Sequence, residues 1–365
     1  MNRVVDLIVG ARPNFMKIAP IVDAFRAAAS RGGHLNYRLI HTGQHYDHAM
    51  SRAFFDDLGI PAPDLNLEVG SGTAAEQTGA IMVRYEQVLA KEGADLCLVV
   101  GDVTSTMACA IVARKFGVPV AHVEGGLRSN DWSMPEEINR VVTDAITNWF
   151  FTTTENAGVN LRESGVADDR IFFVGNTMID TLVKHMAQLR PPGIARDLRL
   201  APGAYVVVTL HRPSNVDDVD NLLRILKAIS HHTAGMPVVF PVHPRTAGRW
   251  RAIEERLPNV HHVEPLGYLE FNYLVKHAKC VITDSGGVTE ETTVMGVPCL
   301  TMRDSTERPE TITLGTNELI GSDPSGLEAA LDRVMAGQWK KGSIPEKWDG
   351  HAGERIVAEL ECLLR

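Results

Sequence analysis

The stretch CVITDSGGVTEETTVMGVPCLTMRDSTERPE, residues 280–310, begins as an apolar strand and breaks at Ser285-Gly286-Gly287. It resumes as a helical pattern carrying two adjacent carboxylates, Glu290 and Glu291. A glycine pair at the entrance to a helix leaves unpaired backbone N–H groups pointing outward, with no side chain to block an approaching phosphate. Read as first-turn residues, Glu290 and Glu291 would accept hydrogen bonds from ribose hydroxyls. A capped helix N-terminus whose acids merely complement the dipole explains the same letters about as well. The surrounding chain has to decide.

Upstream, the second half of the chain repeats this alternation. AYVVVTLHRP, PVVFPVHPR, VHHVEPLGY and KCVITDSGG read as strands, VPCLTMR as a short one, and DDVDNLLRILKAISHH as an intervening helix. From residue 1 to about 178 the same pattern runs through VVDLIVG, YRLIHTG, DLCLVVGDV, VPVAHVEGG, NWFFTTT and RIFFVGN. Stretches such as EQTGAIMVRYEQVLAKEG are long enough for crossover helices. Runs this continuously apolar fit parallel strands buried on both faces. QLRPPGIARDLRLAPG (188–203) gathers Pro, Gly and Arg without periodicity and reads as a connection. The expected fold is α/β, with two Rossmann-like doubly wound lobes and a cleft between the carboxyl ends of their sheets.

A chain of 365 residues suits two domains. With 44% apolar and 22% charged residues it is a globular composition. The net charge of −9 and scattered basic residues exclude a nucleic-acid stripe. Five cysteines, never spaced C-x-x-C, read as mostly buried free thiols. MNRVVDLIVGARP is too short an apolar run for a signal peptide or membrane span, so a cytoplasmic protein is expected.

Candidate site residues follow strands. Arg12 and Lys17 lie at a helix start in VGARPNFMK, where two cations make an anion site plausible. No G-x-G-x-x-G is present, which disfavours a dinucleotide cofactor. Asp102 (VVGDVTST) and Glu124 (AHVEGGLRS) end consecutive strands. Carboxylates confined together push each other's pKa apart and can divide into acid and base. Glu136 and Glu137 after Pro135 read, by themselves, as a helix N-terminus. TLHRPSN and PVHPR place His211, Arg212, His243 and Arg245 on a basic rim. In HTGQHYDH, His41, His45, Asp47 and His48 carry ligand-type side chains. A strand exit followed by a polar loop explains them better, so no metal is expected.

GARPNFMK, GDVTSTMA, HVEGGLRS, PEEINR, GNTMIDTL, DSGGVTEE and RDSTERPE occur in this order over nearly the whole chain. Together they closely resemble the non-hydrolysing UDP-N-acetylglucosamine 2-epimerases. The resemblance implies the glycosyltransferase-B fold, with GERIVAELECLLR returning to the first lobe. The expected domains are then 1–178 with 352–365, and 179–351. It further implies interconversion of UDP-GlcNAc and UDP-ManNAc through 2-acetamidoglucal and UDP, no cofactor, and a homodimer.

By the same resemblance Asp102, Glu124 and Glu136 are the catalytic carboxylates, and His211 assists departure of UDP. Arg12, Lys17, Arg140, His243 and Arg308 contact substrate. Ser285, Gly286 and Gly287 cradle the pyrophosphate, Glu291 meets the ribose, and Phe271 stacks on uracil, although a core Phe explains that letter as well. Three positions depart from the family pattern. Ser214 stands where an acid is common, Asn14 where Glu is common, and VGSGTAAEQT lacks the Arg of regulated members. The alternatives are a 2-epimerase of a 2,3-diacetamido uronate sugar, a hydrolysing epimerase, a sugar transferase and a regulator without turnover.

Overall fold

A computed structural model describes residues 3–43, 58–233, 235–242 and 257–365, and of Arg12 the backbone. The chain divides into two compact units, Met1–Lys184 with Glu346–Arg365, and His185–Pro345.

The first unit holds a parallel sheet of β1 (Arg3–Val9), β2 (Leu35–His41), β3 (Leu65–Asn66), β4 (Leu96–Val100), β5 (Val120–Val123), β6 (Trp149–Thr152) and β7 (Ile171–Phe173). Its order is β3-β2-β1-β4-β5-β6-β7. The second holds β8 (Val206–Thr209), β9 (Val238–Pro241), β10 (Val260–Val263), β11 (Cys280–Thr283), β12 (Cys299–Thr301) and β13 (Asn317–Leu319), in the order β10-β9-β8-β11-β12-β13. Both follow one winding scheme, in which the order reverses beside the unit's first strand. These are the two Rossmann-like doubly wound units of a glycosyltransferase-B fold. β4, β5 and β11 are buried at every residue, which is why their sequences carry no alternation. Of the cysteines, Cys97, Cys109, Cys280 and Cys299 are buried free thiols, and Cys362 is exposed. Among the described residues, no helix is long and apolar enough to cross a membrane.

The last helix, Ala352–Leu363, belongs to the first unit and packs on the helix Arg12–Ser30. A Cβ on Gly353 would lie 2.6 Å from the Pro20 carbonyl oxygen, so the two helices touch backbone to backbone. Asp180 accepts the Gly353 N–H at 2.7 Å, capping this helix from another part of the chain. The segment leading in is pinned as well. Trp348 is buried and donates to the Thr153 carbonyl at 3.1 Å, and Lys347 donates to the Phe173 carbonyl at 2.9 Å.

Two buried acids in this unit make its stability depend on pH. Burial pushes Asp6 up to about 6, against the opposing Arg38 guanidinium and Tyr85 hydroxyl. Burial likewise raises Asp180 to about 6, against the N–H groups of Gly353 and Ala352. An acid whose folded pKa is raised keeps its proton in the fold after the unfolded chain has released it. Stability is therefore lost as pH climbs from about 4 through about 6. The urea midpoint is expected to fall between about pH 4 and pH 7, each acid contributing on the order of 1 kcal/mol or more. A flat or rising midpoint would contradict this.

Candidate active site

Around the reversal point of the first sheet, the ends of β1, β4 and β5 bring their loops together. Asn14 accepts the Ala11 N–H at 3.1 Å and donates to the Val100 carbonyl at 2.9 Å, stitching the first helix to the end of β4. In the next turn of that helix, Lys17 Nζ lies 2.7 Å from Glu124 Oε2. Gly101, after β4, has φ 68°. A Cβ there would stand 3.0 Å from Lys17 Nζ and 3.6 Å from Glu124 Oε2, so the bare residue opens the room in which the pair meets. Glu124 is buried and itself left-handed, with φ 71°, a strained conformation of the kind found at functional sites.

Asp102 is held through Arg140, whose Nε and Nη2 donate to its Oδ2 at 3.0 and 2.6 Å. Asn139 donates to the Asp102 carbonyl at 2.8 Å. Arg140 is buried and reaches Glu137 Oε2 at 2.6 Å with its Nη1. Burial alone would raise the Glu137 carboxyl. Donation from Ser129, Arg140 and Asn130 outweighs that and holds it below the ordinary carboxylate value. Asp102 keeps 29% of its side chain exposed, and Glu136, in the first turn of the helix Pro135–Ile146, faces solvent. One acid in this group is thus gripped by a guanidinium, one is paired with an ammonium, and one is solvated.

In the second unit the corresponding strands are β8 and β11. His211 follows β8 with its side chain 45% exposed, and its Nδ1 lies 2.7 Å from Asp284 Oδ1. Asp284 is fully buried and also accepts the N–H groups of His211 (3.0 Å) and Arg212 (2.9 Å) and Asn215 Nδ2 (2.9 Å). Burial pushes its carboxyl up, but the bonds to His211, Asn215 and Arg212 prevail and keep it below the ordinary value. His211 is therefore oriented by a fixed carboxylate, as a general acid or base must be.

Ser285 is the N-cap of the helix Gly286–Met295, and its N–H donates to Thr283 Oγ1 at 3.0 Å. A Cβ on Gly286 would come 2.8 Å from Glu307 Oε1, next to the buried Arg303–Glu307 pair at 2.7 Å. Arg308 is buried and donates through Nε to Glu290. Burial pushes Glu291 up to about 7, against hydrogen bonds from Tyr268 and Asn272, the latter at 3.2 Å. Glu310 is raised to about 7 by burial as well, with the Arg308 cation opposing. The result is a helix N-terminus of bare amides with two buried guanidiniums near it, each balanced by a buried glutamate, an arrangement suited to a phosphate.

The chain matches a family model described as UDP-N-acetylglucosamine 2-epimerase over residues 27–361. It is 39% identical to the UDP-N-acetylglucosamine 2-epimerase of Methanocaldococcus jannaschii, over 97% of this chain and 98% of that one. The chain belongs to the UDP-N-acetylglucosamine 2-epimerase family. A UDP-2,3-diacetamido-2,3-dideoxy-D-glucuronate 2-epimerase of Pseudomonas aeruginosa is 40% identical over 86% of this chain and 87% of its own. The crystal structure of the M. jannaschii UDP-GlcNAc 2-epimerase in complex with UDP-GlcNAc and UDP superimposes with TM-score 0.85. That match has 40% identity and covers 98% of this chain and 99% of that one.

Within this 2-epimerase family member, Lys17, Asp102, Glu124 and Arg140 gather at the carboxyl end of the first sheet. His211, Ser285, Gly286, Gly287, Glu291 and Arg308 gather at that of the second. Phe271 is half-buried against the core of its unit in the helix Tyr268–His277. Arg12 opens the first helix, and His243 lies outside the described residues. Among the ligand-type residues of HTGQHYDH, only His41 is described. No group of three metal-ligating side chains occurs among the described residues.

The placement of Glu290 and Glu291 in the first helical turn is corrected. Counted from Gly286 they fall in the second turn, and both are buried. Glu290 is spent on Arg308, so a ribose role stays open for Glu291 alone. Sequence reasoning missed Asp284 and Glu137 as partners. The Asp ending the strand CVITD, beside a His ending its neighbour, was the available signal for the first. For Glu137 the signal was the i, i+3 spacing to Arg140.

Proposed function

We propose that this chain is a non-hydrolysing UDP-N-acetylglucosamine 2-epimerase, interconverting UDP-GlcNAc and UDP-ManNAc by elimination and re-addition of UDP. The observation that carries the reading is the carboxylate set of the first unit: Asp102 and Glu124 on adjacent strand ends, each against its own cation, with solvent-facing Glu136 nearby in sequence to Arg140. The proton on sugar carbon 2 has no adjacent carbonyl, so direct removal is beyond a carboxylate. Departure of UDP from carbon 1 builds positive charge on the ring and makes that proton acidic enough for one. Elimination then gives 2-acetamidoglucal and UDP. Returning a proton to the opposite face, with UDP re-adding at carbon 1, inverts carbon 2 and balances the reaction with no redox step.

In this scheme Asp102, Glu124 and Glu136 exchange the carbon 2 proton. His211, oriented by Asp284, assists the diphosphate as it leaves. The amides of Gly286 and Gly287, with the Ser285 hydroxyl and Arg308, stabilise the charge that the diphosphate gains, and Glu291 takes the ribose hydroxyls. Arg12, Lys17 and Arg140 complete the electrostatics of the sugar end, with His243 and Phe271 as further substrate contacts. The resemblance also supports a cytoplasmic homodimer, whose mass light scattering would measure.

Incubation with UDP-GlcNAc in D₂O, followed by NMR, tests the reaction. Deuterium is expected at carbon 2 with the UDP-sugar retained as a mixture of two epimers. Release of free ManNAc would make the enzyme hydrolysing. Absence of exchange with UDP-GlcNAc, but exchange with the UDP-2,3-diacetamido uronate, would move the substrate to that of the P. aeruginosa relative. Absence with both would end the epimerase reading.

A further inference from the structure

Beneath the carboxylates of the first unit lies a buried chain of groups that the reaction scheme does not use. His122, on β5, is fully buried. Its Nε2 lies 2.8 Å from the Gly101 carbonyl oxygen, and its Nδ1 lies 2.7 Å from Asp144 Oδ1. The other oxygen of Asp144 accepts the Gly126 N–H at 3.0 Å and Arg128 Nη1 at 2.6 Å.

A carbonyl oxygen can only accept, so Nε2 carries a hydrogen. The Arg128 guanidinium and the Gly126 N–H on its other oxygen hold the Asp144 carboxyl ionised, so it too is an acceptor. A bare Nδ1 would set two lone pairs 2.7 Å apart in a buried site. Both ring nitrogens therefore donate.

The two ends of this chain are significant. Gly101 immediately precedes Asp102, and Gly126 lies two residues beyond Glu124. The backbone at both turns is left-handed, with φ 68° at Gly101, 71° at Glu124 and 83° at Gly126. The glycines take that shape freely, but Glu124 keeps it only when its surroundings fix it. We propose that His122 is a positioning residue: as a doubly protonated imidazolium it ties the Asp102 turn to the Glu124 turn through Asp144, and so fixes the spacing of the two carboxylates. This rests on the assignment of Asp102 and Glu124 to the carbon 2 proton transfer.

The test uses the full chain labelled with ¹⁵N-histidine, together with His122→Gln and His122→Asn. Neither replacement can donate in two opposite directions with a positive charge. At neutral pH the wild-type spectrum is expected to show one histidine, absent from both variants, with hydrogens on both ring nitrogens. In the variants kcat for carbon 2 exchange is expected to fall roughly 100-fold, as a displacement near 1 Å at a reacting group does. KM and UDP affinity should stay within about threefold, since the UDP cradle is in the other unit. One bare ring nitrogen in the wild-type His122 signal would overturn the proposal, as would a folded His122→Gln enzyme with unchanged kcat. If neither variant folds, Asp144→Asn takes their place: the histidine signal that changes identifies His122, and a folded Asp144→Asn enzyme with unchanged kcat overturns the proposal. Wild-type enzyme without carbon 2 exchange would instead sink the epimerase reading, an outcome separable from the spectrum.

Discussion

Replacing Asp102 by Asn is expected to lower carbon 2 exchange by about 10²- to 10⁴-fold, the range of a lost acid or base, while UDP binds as before. The amide oxygen of Asn can still accept from Arg140 Nε and Nη2, so the buried guanidinium keeps a partner and the fold should survive. The proposed UDP cradle lies on β8, β11 and the helix that follows β11, none of which touches residue 102 in sequence or sheet. Calorimetric titration with UDP and deuterium incorporation into UDP-GlcNAc separate the two properties. Glu136→Gln should behave alike, with still less structural consequence because that side chain faces solvent. Full exchange in both variants would remove these residues from the chemistry. Weakened UDP affinity in step with turnover would mean that the loss is one of binding.

The second large effect is on stability rather than on chemistry. Gly175 has φ 98°, and a Cβ on it would fall 2.0 Å from the carbonyl oxygen of Lys347. That atom is backbone and cannot swing aside. Lys347 is itself left-handed at φ 60°, and its neighbours are pinned through Trp348 to Thr153 and through Arg355 to the Val174 carbonyl at 2.9 Å. Gly175→Ala therefore combines a disfavoured φ with a hard clash, and should cost about 3 kcal/mol or more. Urea unfolding measures the loss, and limited proteolysis between residues 340 and 351 should show the docked segment released. An unchanged midpoint would mean that the return segment can shift at little cost.

The strands were legible because buried parallel strands have a distinctive composition: LCLVV and CVIT are apolar at nearly every letter. The loops after them were legible as places for chemistry, since charged residues directly following such runs have few structural reasons to be there. What could not be read was the use of each carboxylate. Glu136 and Glu137 are adjacent letters, yet one faces water and the other is buried beneath Ser129 and Arg140. Glu290 and Glu291 are likewise divided, one to Arg308 and one to Asn272. A one-residue step turns a helical side chain by about 100°, so the destination of each depends on what packs there, and helix start positions are uncertain by a residue or two. His122 was hidden for a related reason: in AHVE it reads as an ordinary strand residue, and its partner Asp144 lies on a helix more than twenty residues away. Gly175 belonged to a motif whose role emerged only with Lys347 in place.

The first unit is built from two separated pieces of chain, with residues 185–345 made in between. Because a ribosome delivers the chain from its N-terminus, Trp348, Gly353 and the rest of the closing helix reach their seat only after the entire second unit has emerged. Until then the face of the Arg12–Ser30 helix that receives them is uncovered, and Asp180 waits for the amide it will cap. The nascent protein thus passes through a stage in which the later half can be complete while the earlier half is not. Apolar surface left uncovered at such a stage is open to aggregation.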